Sequence, residues 1–263
     1  MPKRLGVIPH LFARPLFRGI REQNDPTFEL VEDNSTQLAI RLRQGNLDGA
    51  FLSPIEYAKE YASYSLVPDV GVISEGESGI AVLMFKERLS RITTIAVNAG
   101  SSSEIVLAHL VMAEKYDTVP QFVPMTSSPE LALKSSDAVL LVGDEALAIK
   151  EQRQKIDLVD EWLDITGLPF IHGVWAVRPG ALQSHEIRRL IEFGREAYES
   201  REKSIPEEHK ELTVNLHYTL SAQDITALIE FFRMSYYHGI IGDIPDVKVL
   251  PLETNSNSEV SVQ

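Results

Sequence analysis

Gly49-Ala50-Phe51-Leu52-Ser53-Pro54-Ile55-Glu56 reads as a strand that passes directly into a helix. The first four residues are a short apolar run of the kind a buried strand uses, and Pro54 suits a first helical position, where its missing N–H leaves nothing unsatisfied. Ser53 followed three residues later by Glu56 is a capping-box signature. The same junction recurs twice. A strand over 93–97 leads through 98–103 into a helix ending near Tyr116, and a strand over 138–142 leads through Gly143-Asp144 into a helix from Glu145. Strands alternating with helices at this spacing predict an α/β fold with largely parallel sheets.

Toward the amino end, residues 3–8 read as a first strand, Arg14-Pro15 opens a short helix, and residues 28–31 read as a second strand. Asn34 with Gln37 is another capping signature, Leu38 and Leu42 give an apolar stripe, and Gly45 supplies a left-handed stop, so a helix is expected over 35–44. Toward the carboxyl end an apolar strand is expected over 170–177, then helices over 184–201 and 221–238. The last starts at Ser221 and Asp224 and carries Ile225, Leu228, Ile229 and Phe232 on one stripe. Residues 253–263 are polar and unpatterned, and read as a frayed tail.

With 263 residues and 44% hydrophobic content the chain can fill a core for one large or two medium domains. A formal net charge of −13 opposes binding to nucleic acid or to an anionic membrane surface. An anionic ligand must instead be held locally, by helix N-termini or single cations. There is no cysteine, hence no disulfide, thiolate metal ligand or thiol nucleophile. The apolar stretch behind Lys3 and Arg4 is cut by Pro9 and His10, too short for a signal core or a spanning helix, so cytoplasmic residence is expected. The composition leaves a homodimer open.

In parallel α/β sheets, ligands bind where strands end and helices begin. Ser53 and the run Ser101-Ser102-Ser103 are the two such ends singled out here as ligand contacts, although serine is also the commonest helix cap. Arg14 can pair with a carboxylate or lie along the surface. Asp144 can act as acid or base, orient a ligand hydroxyl, or cap the next helix. The seven histidines include no pair at metal-ligand spacing backed by a third ligand, and no P-loop, GxGxxG or GxSxG motif occurs. No metal or cofactor is expected. Trp162 and Trp175 lie in apolar segments and read as core or hinge residues rather than a stacking platform.

Several stretches together resemble the chorismate dehydratase family of futalosine-pathway menaquinone biosynthesis: Arg14-Pro15-Leu16, residues 53–58, residues 137–147, and Thr166-Gly167-Leu168-Pro169-Phe170 leading to Trp175-Ala176. Order and spacing match over about residues 4–250. The resemblance implies a two-lobed periplasmic-binding-protein-like fold of the second type, with mixed or parallel sheets and a double interlobe crossover. Lobe one would comprise 1–83 and 175–252, and lobe two 84–174. It implies a hydro-lyase that takes water from chorismate to give an enolpyruvyl-substituted benzoate, a reaction in which aromatisation supplies the driving force and the substrate's own carboxylate can serve as base.

This chain departs from the family pattern in the presumed cleft. Phe12 stands where an asparagine is usual, Ile80-Ala81 where a Ser-Val pair is usual, Ser103-Glu104 where a Thr-Ser pair is usual, and His172 where an aromatic residue is usual. Phe12 and Ile80 are thus expected to line the cleft. His10 and His172 are expected to border it and to replace the lost polar function, or else to pack as neutral rings. Three functions follow: a chorismate dehydratase with an unusual site; a non-catalytic binding or sensor protein for a small aromatic or enolpyruvyl carboxylate; or a different lyase or isomerase. Polar groups lining the cleft near Phe12 and Ile80 would favour the enzyme.

Overall fold

The computed structural model describes residues 1–23, 25–98, 100, 102–149, 154–209 and 212–251. Ser101 and the expected tail over 253–263 lie outside the described residues. In chain order the elements are β1 (Lys3–Val7), α1 (Arg14–Glu22), β2 (Phe28–Glu32), α2 (Ser35–Arg43), β3 (Gly49–Leu52), α3 (Pro54–Ala58) and β4 (Ser65–Ser74). There follow β5 (Ala81–Phe85), β6 (Thr94–Val97), α4 (Ser102–Tyr116), β7 (Gln121–Pro124), α5 (Pro129–Ser135), β8 (Ala138–Val142), α6 (Asp144–Leu147), β9 (Lys155–Asp157) and α7 (Leu158–Thr166). The chain ends with β10 (Phe170–Val177), α8 (Ser184–Ser204), α9 (Leu212–Asn215), β11 (Leu216–His217) and α10 (Ala222–Tyr237).

The strands form two sheets, ordered β11-β4-β10-β3-β1-β2 and β7-β6-β8-β5-β9. Each is mixed. β1 runs parallel to β2 and β3, and β6 parallel to β7 and β8. β10 pairs antiparallel with β3 and β4, and β5 antiparallel with β8 and β9. The expectation of largely parallel sheets therefore holds only for the βα units. Strands that follow a change of sheet enter from the opposite direction.

That change takes place twice, over residues 75–80 and over Gly167-Leu168-Pro169. The expected lobe boundaries, 83/84 and 174/175, fall inside β5 and β10, each of which lies wholly in one sheet. Asp157 ties the first crossing to the second lobe. Its carboxylate caps α7 through Val159 N–H and Asp160 N–H and also accepts from Ser78 N–H and Gly79 N–H.

The larger of two apolar clusters runs through both sheets, with Leu52 and Val72 from the first and Leu83, Ile95 and Leu140 from the second, while a smaller one gathers Val82, Met84, Val139 and Leu141 of the second sheet. Trp162 and Trp175 are buried in the larger, as expected, each set edge-on against phenylalanine rings. α8 packs on α1 and β4, whereas α10 packs on β10, α3 and α4 and so touches both halves. Among the described residues no helix is long and apolar enough to cross a membrane.

Candidate functional site

A cavity of about 230 Å³ lies between the sheets, at the carboxyl ends of β1, β3, β6 and β8. Ile8, Pro9, His10, Phe12, Asn34, Ser35 and Ser53 line it from one side; Asn98, Gly100, Glu104, Val142, Asp144 and Glu145 line it from the other; His172 of β10 completes the wall. This is where α/β sheets place ligands, because several helix starts converge there.

The two halves are bonded to each other at its rim. Ser53 Oγ lies 3.3 Å from Ser102 Oγ, Ile55 N–H donates to Ser103 Oγ at 3.0 Å, and Leu11 N–H donates to Asp144 Oδ1 at 2.8 Å. The expected capping box at Ser53 and Glu56 does not form. Ser53 turns instead to Ser35 and Ser102, and Glu56 accepts from Thr36 and Lys59. The first turn of α3 is capped by Ser103 from the opposite lobe. Asp144 likewise caps nothing and reaches across to the turn after β1.

Aromatic rings form one wall. His10 stacks on Phe12 with centroids 5.3 Å apart and planes 10° from parallel, and His172 sits between Phe12 and Phe170. His10 approaches Gly143 so closely that a Cβ there would come within 2.6 Å of His10 Nδ1, and Gly143 also has φ +62°. Only glycine suits that position.

Burial sets the protonation of these groups. Glu104 is 5% exposed and its carboxyl is pushed up to about 7, mainly by desolvation, with only its own backbone N–H opposing. His172 is held down at about 3, first by burial and then by His10. Burial also lowers His10, while the carboxylates of Asp144 and Glu145 pull the other way. The imidazoles are therefore neutral at neutral pH, and Glu104 is poised between acid and base. Among the described residues no lysine or arginine lines the cavity.

Of the sequence candidates, His10, His172, Asp144, Ser53 and Phe12 come together in this cavity. Ser102 and Ser103 sit beside it and spend their hydroxyls on the other lobe. Ile80 is fully buried and is not a lining residue; its carbonyl accepts from Gly143 N–H, so it supports the wall from behind. Arg14 is exposed at the start of α1 and does not reach the cavity, because the short turn Leu11–Ala13 directs Phe12 inward and leaves Arg14 outside. Asn34 and Asn98 line the cavity and were not read as site residues, and Glu104 was read only as a charge at a helix start in the presumed cleft. For Glu104 a signal exists: it shares the 3.6-residue stripe of Leu107, Ala108 and Val111, all buried, so its face of α4 points inward. Among the described residues no group of three or more His, Asp or Glu side chains is placed to hold a metal ion.

Comparison with known proteins adds sequence and fold relations. The family described as menaquinone biosynthesis matches over residues 3–237. A chorismate dehydratase of Thermus thermophilus is 25% identical over 195 residues, covering 67% of this chain and 70% of that protein. Protein AF1704 of Archaeoglobus fulgidus superposes with a TM-score of 0.70 at 18% identity, covering 91% of this chain and 98% of its own. The periplasmic aliphatic sulphonate binding protein SsuA of Escherichia coli superposes with a TM-score of 0.63 at 13% identity, covering 94% and 95%. The fold is that of the periplasmic binding proteins.

Proposed function

The chain belongs to the menaquinone-biosynthesis family, and on that premise we propose that it is a chorismate dehydratase-type hydro-lyase working in the interlobe cavity. The observation that carries this reading is Glu104, a buried carboxyl in the cavity wall that holds its proton up to about pH 7. A group of that kind serves as a general acid near neutral pH. Glu104 gives its proton to the departing ring hydroxyl, which leaves as water. Neutral His10 takes the proton from C3, and the C–H electron pair becomes the new ring double bond. Asp144 and Glu145, which favour the charged form of His10, stabilise the transient imidazolium. The proton then returns from His10 through solvent to Glu104.

Chorismate incubated with the protein should yield the enolpyruvyl-benzoate by mass spectrometry, at a rate that falls as pH rises through about 7, where Glu104 loses its proton. Glu104→Gln should lower the rate by roughly 10²-fold or more. Binding without turnover would remove the enzyme and leave a binding or sensor protein for a small aromatic or enolpyruvyl carboxylate. Phe12, which presents a ring rather than an amide, is the feature that favours that second reading.

A further inference from the structure

His172 has one ring nitrogen that the protein itself leaves unused. The side chain is 2% exposed, lines the cavity, and is clasped between Phe12 and Phe170 with centroids 5.3 and 5.2 Å away. Nε2 lies 2.8 Å from Ser74 Oγ, whereas Nδ1 has no hydrogen-bond partner among the described residues. Buried polar atoms nearly always have one, so an orphan in a cavity wall points to a partner that arrives with the ligand.

The Ser74 contact selects the tautomer. If Nε2–H donated to Ser74 Oγ, the serine proton would have no acceptor among the described residues, where Ser74 Oγ makes no other bond, and Nδ1 would be a second unmet group. If the Ser74 hydroxyl donates to Nε2, the hydrogen sits on Nδ1 and that N–H is the single unmet donor. Burial keeps the ring uncharged, so it offers a neutral donor. Around it are phenylalanine rings, and no described residue of the cavity wall is a lysine or arginine, surroundings in which a carboxylate would lose its hydration without a counter-charge. The His10 and Phe12 rings beside it stack with nearly parallel planes, a flat aromatic pair.

We propose that His172 is a specificity-determining ligand contact, donating Nδ1–H to a neutral ring-borne oxygen, hydroxyl or ether, of a flat cyclic carboxylic acid, with Ser74 as the positioning residue that fixes the tautomer. This rests on the interlobe cavity being the ligand site. It does not require turnover.

Nitrogen-15 NMR of the histidine-labelled protein, with the His172 ring assigned by its loss in His172→Phe, should find the proton on Nδ1 in the wild type and that preference weakened in Ser74→Ala. In calorimetry the wild type should bind 3-hydroxybenzoate about tenfold more tightly than benzoate, the value of one well-placed hydrogen bond. His172→Phe should abolish the preference. His172→Asn, whose amide N–H stands near the position of Nδ1, should restore part of it. A proton found on Nε2, a hydroxyl preference that survives His172→Phe, or a wild type that binds neither benzoate overturns the proposal. Chorismate left unchanged while the preference holds would remove the dehydratase reading alone.

Discussion

A free glutamate titrates near 4.5, and the folded protein holds Glu104 at about 7. Because the folded pKa is the higher one, the stability that this group contributes is fully present below about pH 4.5 and is lost as pH rises through about 7. The difference amounts to roughly 3 kcal/mol at most. Glu104→Gln keeps the shape and removes the ionisation, so its stability relative to the wild type should rise across that window and level off above it. Urea denaturation of both proteins from pH 4.5 to 8 checks this; a constant difference would mean that the carboxyl is solvated. At this scale the sequence was a mixed guide. His172 lies in an apolar run, which foretold its burial, and His10 follows a strand at the cleft-facing end. Glu104 was legible as a charge at a helix start, but its inward aim depends on which face of α4 the second sheet covers. Arg14 carried a charge suited to a carboxylate, yet nothing in its neighbourhood fixed its direction.

Helix starts show how far local signals reach. Ser221 and Asp224, the expected start signals, form a capping box, Ser221 accepting from Asp224 N–H while Asp224 accepts from Ser221 N–H, and Asn34 accepts from Gln37 N–H. Ser53 carries an equally good signal and does not cap, because Ser103 from the other lobe reaches Ile55 N–H first. Ser221→Ala and Ser103→Ala should each lower stability by about 1 kcal/mol in chemical denaturation. Only Ser103→Ala should also expand the molecule in small-angle scattering, since its bond joins the halves; equal radii in the two variants would show that the bond does not hold them. β4 went unread for a different reason. Its ten residues include Pro68, Asp69 at φ +58° and Gly71, and its pairing with β10 shifts register twice, so no alternation survives. α7 and α5 have ordinary starts, Asp157 as cap and Pro129 in the first turn, and were within reach of the same rules.

For the whole molecule, the continuous core predicts one cooperative transition rather than two. Trp162 reports on α7, which packs with the second sheet, and Trp175 on β10 in the first. Trp162→Phe and Trp175→Phe each leave one tryptophan, and the two proteins should each unfold in urea with tryptophan fluorescence coincident with far-UV circular dichroism. A fluorescence transition displaced from the dichroism in either would show that the lobes melt separately. The two-lobed plan was legible because βα junctions repeat along the chain, but the fit of the lobes was not, as it depends on pairs such as Leu11 with Asp144, far apart in sequence. That fit also bears on kinetics. Among the described residues three hydrogen bonds span the rim of the cavity, at Ser53, Ile55 and Leu11, and breaking them would disfavour a parted form by about 3 kcal/mol. Ligand capture would then wait on that rare form, so in stopped-flow mixing the observed rate should rise with ligand concentration and reach a plateau, with Ser103→Ala raising the ceiling; a rate that climbs in proportion throughout would mean that the entrance is never shut.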